Sequence, residues 1–168
     1  MNQNEQQEGF GRLKEKIKDV KVAMMTTAEG DGTLRSRPMH TSEVLDDGFL
    51  WFFTWIDSPK AEEIKNDSHV NLSYADPGSN LYVSVSGRAF LTRDRSKIEE
   101  LWSPFLKAWF PEGKDDPSIG LIRVAPTQAE YWDSSSSKLV QLIGYVKAVA
   151  TGETYTPDEP DEHKKVNL

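Results

Sequence analysis

The chain has 168 residues, a formal net charge of -7, no cysteine, three histidines and five tryptophans. A single domain of that length buries about 70% of the surface its unfolded chain exposes, so no disulfide or metal staple is required. The missing cysteine excludes disulfides, iron–sulfur clusters, thiolate zinc sites and cysteine nucleophiles, and a pI near 5.0 disfavours general binding to a phosphate backbone. Mean hydropathy is -0.60, and no apolar run approaches the roughly 20 residues of a membrane span. The opening MNQNEQQEGF lacks the basic and apolar regions of a secretory signal. These features predict a cytoplasmic protein.

In chain order, residues 1–9 are polar and predict a disordered segment. A helix is expected at about 10–19, with Phe10, Leu13 and Ile17 on one stripe. A strand from Val20 to Thr27 ends at the hairpin signal Glu29-Gly30-Asp31-Gly32. A second strand covers 33–44, turns at Asp46-Asp47-Gly48 and returns as 49–55. A helix follows from Pro59 to about Asn66. Strands are then expected from His69 to Ala75 and from Leu81 to about Thr92, joined by Asp76-Pro77-Gly78. Residues 96–103 predict a helix with Ile98, Leu101 and Trp102 on one face, ended by Pro104. Ile119 to Val124 and Gln128 to Trp132 read as two strands around Pro126. Leu139, Leu142, Ile143, Val146 and Val149 mark a last amphipathic helix, stopped by Gly152. Residues 153–168 predict an acidic flexible tail, which leaves one domain over 10–152. Six to seven strands with tight turns argue a mainly β protein. Its antiparallel sheet closes on itself, and helices flank it.

The most informative stretch is Thr33 to Lys60. Arg35 and Arg37 are two apart and share a strand face. Pro38 cannot donate to a ladder, so its strand is at an edge or bulged there, and backbone near Pro38 and Met39 becomes free to meet a ligand. Thr54 ends the next strand. Ser58 suits an N-cap and Pro59 a first helical residue, which places Lys60 in the first turn. Orphan amides, two hydroxyls and an ammonium converge there, and a phosphate fits them. Arg35 or Arg37 could close such a site bidentately. The same residues would also serve as a capped surface helix beside solvated arginines. The strand adds Phe49, Trp51, Phe53 and Trp55 on one face, and Leu50, Phe52 and Thr54 on the other. Rings in such a run are mostly core, yet a flat ring system with a phosphate tail would suit both features.

At this point the sequence resembles the pyridoxamine 5′-phosphate oxidase-like superfamily of FMN-binding split barrels. The resemblance rests on LRSRPM, LWFFTWIDSPKAEEI and VSVSGRAFL, and runs from about residue 10 to about 152. The segment LWSPFLKAWFPEGKDDPSIGLIRVAPTQAEYWD resembles the general stress protein 26 branch. The resemblance implies a homodimer of antiparallel split β-barrels with FMN at the subunit interface. It places Arg37, Pro38 and Met39 along the isoalloxazine, with Arg35 in a secondary role. It places Phe53 and Thr54 by the ribityl–phosphate region, Ser58 and Lys60 on the phosphate, and Trp132 against the flavin of the other subunit. The implied activity is that of an FMN-dependent oxidoreductase on an unnamed small molecule. Pro59 stands where the oxidase proper tends to have arginine, and the C-terminus is acidic, so oxidation of pyridoxamine phosphate itself is not implied.

Three rivals keep part of this reading: a non-catalytic module that binds or sequesters flavin, the same fold around a deazaflavin or haem, and an oligonucleotide-binding barrel. Few histidines count against haem, and the acidic balance counts against nucleic acid. His40 is a possible proton donor beside a flavin, though a strand histidine is more often packed or solvated. His69 and His163 are scattered, so no metal site is expected. Serines 134–137 have no base partner for a nucleophile. Glu112, Asp115 and Asp116 read as a solvated acidic loop.

Overall fold

The computed structural model describes residues 3–44, 48–133 and 163–168. Among the described residues there are seven strands: β1 Val22–Ala28, β2 Leu34–Val44, β3 Leu50–Trp55, β4 His69–Asp76, β5 Leu81–Thr92, β6 Ile119–Asp133 and β7 His163–Asn167. The helices described are α1 Gln3–Ile17, α2 Pro59–Asn66 and α3 Arg95–Leu101, with a 3-10 turn at Pro104–Ala108. All strand pairings are antiparallel, in the order β3-β2-β1-β4-β5-β6-β7. The β3–β6 pairing, from Leu50 opposite Val124 to Trp55 opposite Ile119, closes six of them into a barrel. Closure removes the edges a flat sheet would expose.

Alternation of side chains fills the barrel. Met25, Leu50, Phe52, Leu72, Val85, Ile122 and Val124 are fully buried inside it. Leu13 and Ile17 of α1 and Ile64 of α2 join the same core. Each such burial contributes about 1.5–3 kcal/mol. A second apolar layer lies outside the wall. There Trp51, Phe53, Ile119 and Leu121 meet Ile98 of α3 and Leu106 and Phe110 of the segment that follows. Strand β3 is therefore buried on both faces, which is why its run carries aromatics at every position but two.

Three expectations change. Helix α1 starts at Gln3, so most of the stretch expected to be disordered is helical; Gln and Glu are good helix formers, and the polar turns ride on the anchored Leu13–Ile17 end. The two strands expected around Pro126 are one, β6. Gly87 sits opposite Pro126 while Ser86 pairs with Gln128, so Thr127 is an extra residue and the strand bulges instead of breaking. A Cβ on Gly87 would stand 2.4 Å from the Ala125 carbonyl oxygen, so only glycine fits there. The end of the expected tail forms β7 against residues 128–132 of β6. The helix expected over Leu139–Val149, its Gly152 stop and Serines 134–137 lie outside the described residues. Among the described residues, no helix is long and apolar enough to cross a membrane.

Candidate functional site

Strands β2 and β3 pair only from Thr41 opposite Phe52 to Val44 opposite Leu50, with Ser42 as a bulge. Before Thr41, β2 continues on β1 alone, while Phe53 to Trp55 of β3 continue on β6. The two strands thus diverge, and Pro38 sits where β2 has no neighbour on that side. The expected edge or bulge at Pro38 is met by a local edge followed by a bulge.

The wedge between them is a cleft of about 320 Å³. Pro38, Met39 and His40 of β2, with Val22 of β1, form one wall. Phe53, Thr54 and Trp55 form the floor, and Lys60 stands at the end nearest α2. Phe105, Leu106, Trp109 and Phe110 form the opposite wall. The size is that of a small-ligand site, with few polar groups in an aromatic lining.

The Lys60 end is built locally. Ser58 precedes α2 in extended backbone, and its carbonyl accepts from the Ala61 and Glu62 amides at 3.0 and 3.3 Å. Its hydroxyl caps nothing and lies 3.3 Å from the Thr54 hydroxyl. Burial and the Arg37 charge push the Lys60 ammonium below its ordinary pKa, against an opposing pull from Glu63. Among the described residues it makes no ion pair or hydrogen bond. A half-buried cation with no direct ion pair or hydrogen bond, beside two hydroxyls at a helix start, is suited to an anion.

Arg37 is committed elsewhere. Its guanidinium donates to the Glu63 carboxylate at 2.7 Å and also to the Thr27 hydroxyl, which donates to Glu63 in turn. Glu63 is only 8% exposed. Burial pushes its pKa up, but the Thr27 hydrogen bond and the Arg37 guanidinium outweigh this and hold it below the usual value. Arg35 lies on the outer rim, 3.3 Å from Glu29 and 3.9 Å from Glu63. The two arginines thus brace α2 against β1 and β2 and raise the positive field behind Lys60.

Of the residues expected from sequence, Pro38, Met39, Phe53, Thr54 and Lys60 line the cleft, and Ser58 adjoins it through Thr54. Arg37 and Arg35 stand behind it. Trp132 does not line it. It lies across from Tyr82 on the outer face, 41% exposed. Sequence reasoning missed Val22, Trp55 and the 105–110 wall, and relegated His40. The signal was the pair Phe105 and Trp109, four residues apart after a second Ser-Pro start, alternating with the buried Leu106 and Phe110.

A family model described as pyridoxamine 5′-phosphate oxidase like matches residues 8–156. The chain belongs to that family. Among curated relatives of this pyridoxamine 5′-phosphate oxidase-like chain, protein bli-3 of Neurospora crassa is 32% identical over 161 residues, covering 86% of this chain and 77% of that protein. Among solved structures, a putative general stress protein 26 from Jannaschia sp. CCS1 superposes with a TM-score of 0.69 at 26% identity, over 98% of this chain and 99% of that one. The general stress FMN/FAD binding protein of Xanthomonas citri gives 0.63 at 28% identity, over 81% and 93%. The barrel of this oxidase-like chain is that of the split-barrel relatives.

Proposed function

We propose that this chain is an FMN-binding protein whose two copies share the cofactor between them, and that it acts as a flavin-dependent oxidoreductase on a small molecule. The observation that carries the reading is the half-buried Lys60 ammonium, unpaired among the described residues, beside the Thr54 and Ser58 hydroxyls at one end of an aromatic cleft. Lys60, Ser58 and Thr54 hold the phosphate. Pro38, Met39 and Phe53 flank the ring and its sugar chain. Arg37, fixed by Glu63, supplies positive potential without leaving its partner. The FMN/FAD binding named for the Xanthomonas citri relative supports the same guest.

The cleft is open on one side. The outer sheet continues from it as a row. His40 pairs with Val22, the Ala23–Tyr74 pair sets Val22 beside Ala75, and Ala75, Tyr82 and Trp132 are in register. Val22, Tyr82 and Trp132 are exposed along it, as is Met24 nearby. A second copy on this face covers the strip and brings the partner subunit's Trp132 toward the flavin.

Bound flavin supplies the hydride and electron chemistry, and the protein supplies anchoring, orientation and exclusion of water. The test is equilibrium titration of the purified chain with FMN, together with light scattering. Saturable binding by a dimer is expected, and a wild-type chain with no affinity for FMN sinks the reading. Turnover of a reduced nicotinamide with an acceptor separates the oxidoreductase from a binding module, which would hold FMN and turn nothing over.

A further inference from the structure

The end of the cleft away from Lys60 has chemistry of its own. His40 lines it, pairs across to Val22, and packs its ring against Phe105 with centroids 5.3 Å apart. Its Nδ1 atom is buried and, among the described residues, has no hydrogen-bond partner. Ser42 Oγ and Trp51 Nε1 share that condition, but neither lines the cleft. A buried polar atom left unpaired costs stability, so such an atom in a ligand cleft calls for an explanation. Burial, aided by the Lys21 charge, lowers the His40 pKa, which keeps the ring neutral near pH 7. Among the described residues no carboxylate lines the cleft, and its one cation, Lys60, is at the other end. The group that suits His40 is therefore uncharged and polar at its rim, and it meets an aromatic and apolar lining.

We propose that His40 is the cleft's polar contact for the rim of the flavin ring, a heterocycle whose carbonyl and N–H groups complement a neutral imidazole. The assignment rests on the flavin reading above. It divides the cleft into a phosphate end held by Lys60 and a ring-rim end held by His40. Neutral imidazole carries one donor and one acceptor, so it can meet either kind of rim group.

The division can be read with two ligands. FMN carries the phosphate and riboflavin does not, while both carry the ring. Purified wild type, His40→Phe and His40→Asn are titrated with each, and each ligand-free chain is melted. His40→Phe is expected to weaken FMN and riboflavin by the same factor, roughly tenfold for one hydrogen bond. Its ligand-free melting temperature should not fall, because the substitution removes an unpaired buried atom. His40→Asn, which retains a polar group near Nδ1, should restore most of the affinity. Unchanged affinities in His40→Phe, or a loss confined to FMN, overturn the proposal. A variant that melts lower yet binds both flavins as wild type also overturns it, since His40 would then be only structural. If His40→Phe does not fold, His40→Leu is compared with His40→Asn and scored the same way. Failure of the unaltered chain to bind either flavin overturns the functional reading and this one together. Binding by the unaltered chain with unaltered variant affinities overturns this one alone.

Discussion

The two ends of the cleft are built by opposite means. At the Lys60 end every element is local: Thr54, Ser58, Pro59 and Lys60 fall within one strand end and one helix start. Behind them Glu63, Arg37 and Thr27 lock the backbone with a largely buried ion pair, the Arg37 side chain 18% exposed. At the His40 end the wall is assembled from β1, β2 and the 105–110 segment. Its aromatics stay open to solvent, with Phe105 58% and Trp109 53% exposed and their rings 5.0 Å apart. One end is organised before any guest arrives. The other leaves apolar surface and a buried polar atom for the guest to cover. A phosphate tail is a constant anchor and rewards rigidity, whereas a ring face gains from surface that becomes buried only on binding.

The sharpest way to break the contrast is Glu63→Ala. It strands Arg37 in a nearly buried position and is expected to cost about 3–5 kcal/mol, read as a lower denaturant midpoint. An unchanged midpoint would mean that the Lys60 end is not braced. Next in size is Lys60→Ala. Loss of one charge-assisted contact should weaken FMN by about 10- to 100-fold and leave riboflavin unaffected. Equal losses for both would erase the division of the cleft. Acid supplies a smaller effect. The folded pKa of Glu63 lies below its ordinary value, so its stabilisation is present above that value and is lost as pH falls through the lower folded one. Denaturant midpoints should decline below about pH 4 in wild type, and part of that decline should vanish in Glu63→Gln. The smallest effect on the empty protein belongs to Phe105→Ala. Its ring is more than half exposed, so stability should change by less than about 1 kcal/mol while FMN and riboflavin both bind more weakly. A large loss of stability in the empty chain would make this wall core instead of ligand surface.

The same contrast explains what could be read from sequence. Helix α2 matched its expected limits because the adjacent pair Ser58-Pro59 marks the start. The local end of the site was legible for the same reason. The far wall was not, since nothing local says that residue 105 stands over residue 40. Strand β6 was split in two because Pro126 reads as a breaker; only the register with Gly87 turns it into a bulge. Strand β7 is polar except for Val166, too weak a pattern to mark a strand, and its extended form is set by its partner on β6. The commitment of Arg37 was hidden too. Glu63 is a charged residue on a short helix, and such residues usually face water.

The closing pair of strands carries a kinetic and cellular consequence. Residues 50–55 meet residues 119–124, a contact between distant parts of the chain, and loop-closure entropy makes such contacts slow to form. The floor of the cleft is the same stretch of β3 that this contact seats. A partly folded chain therefore has no cleft, and a guest binds only the finished barrel. Bound at a hundred times its dissociation constant, such a guest adds about 2.7 kcal/mol to the free energy of unfolding. A filled cleft therefore resists proteolysis better than an empty one, by the margin that the guest's concentration sets.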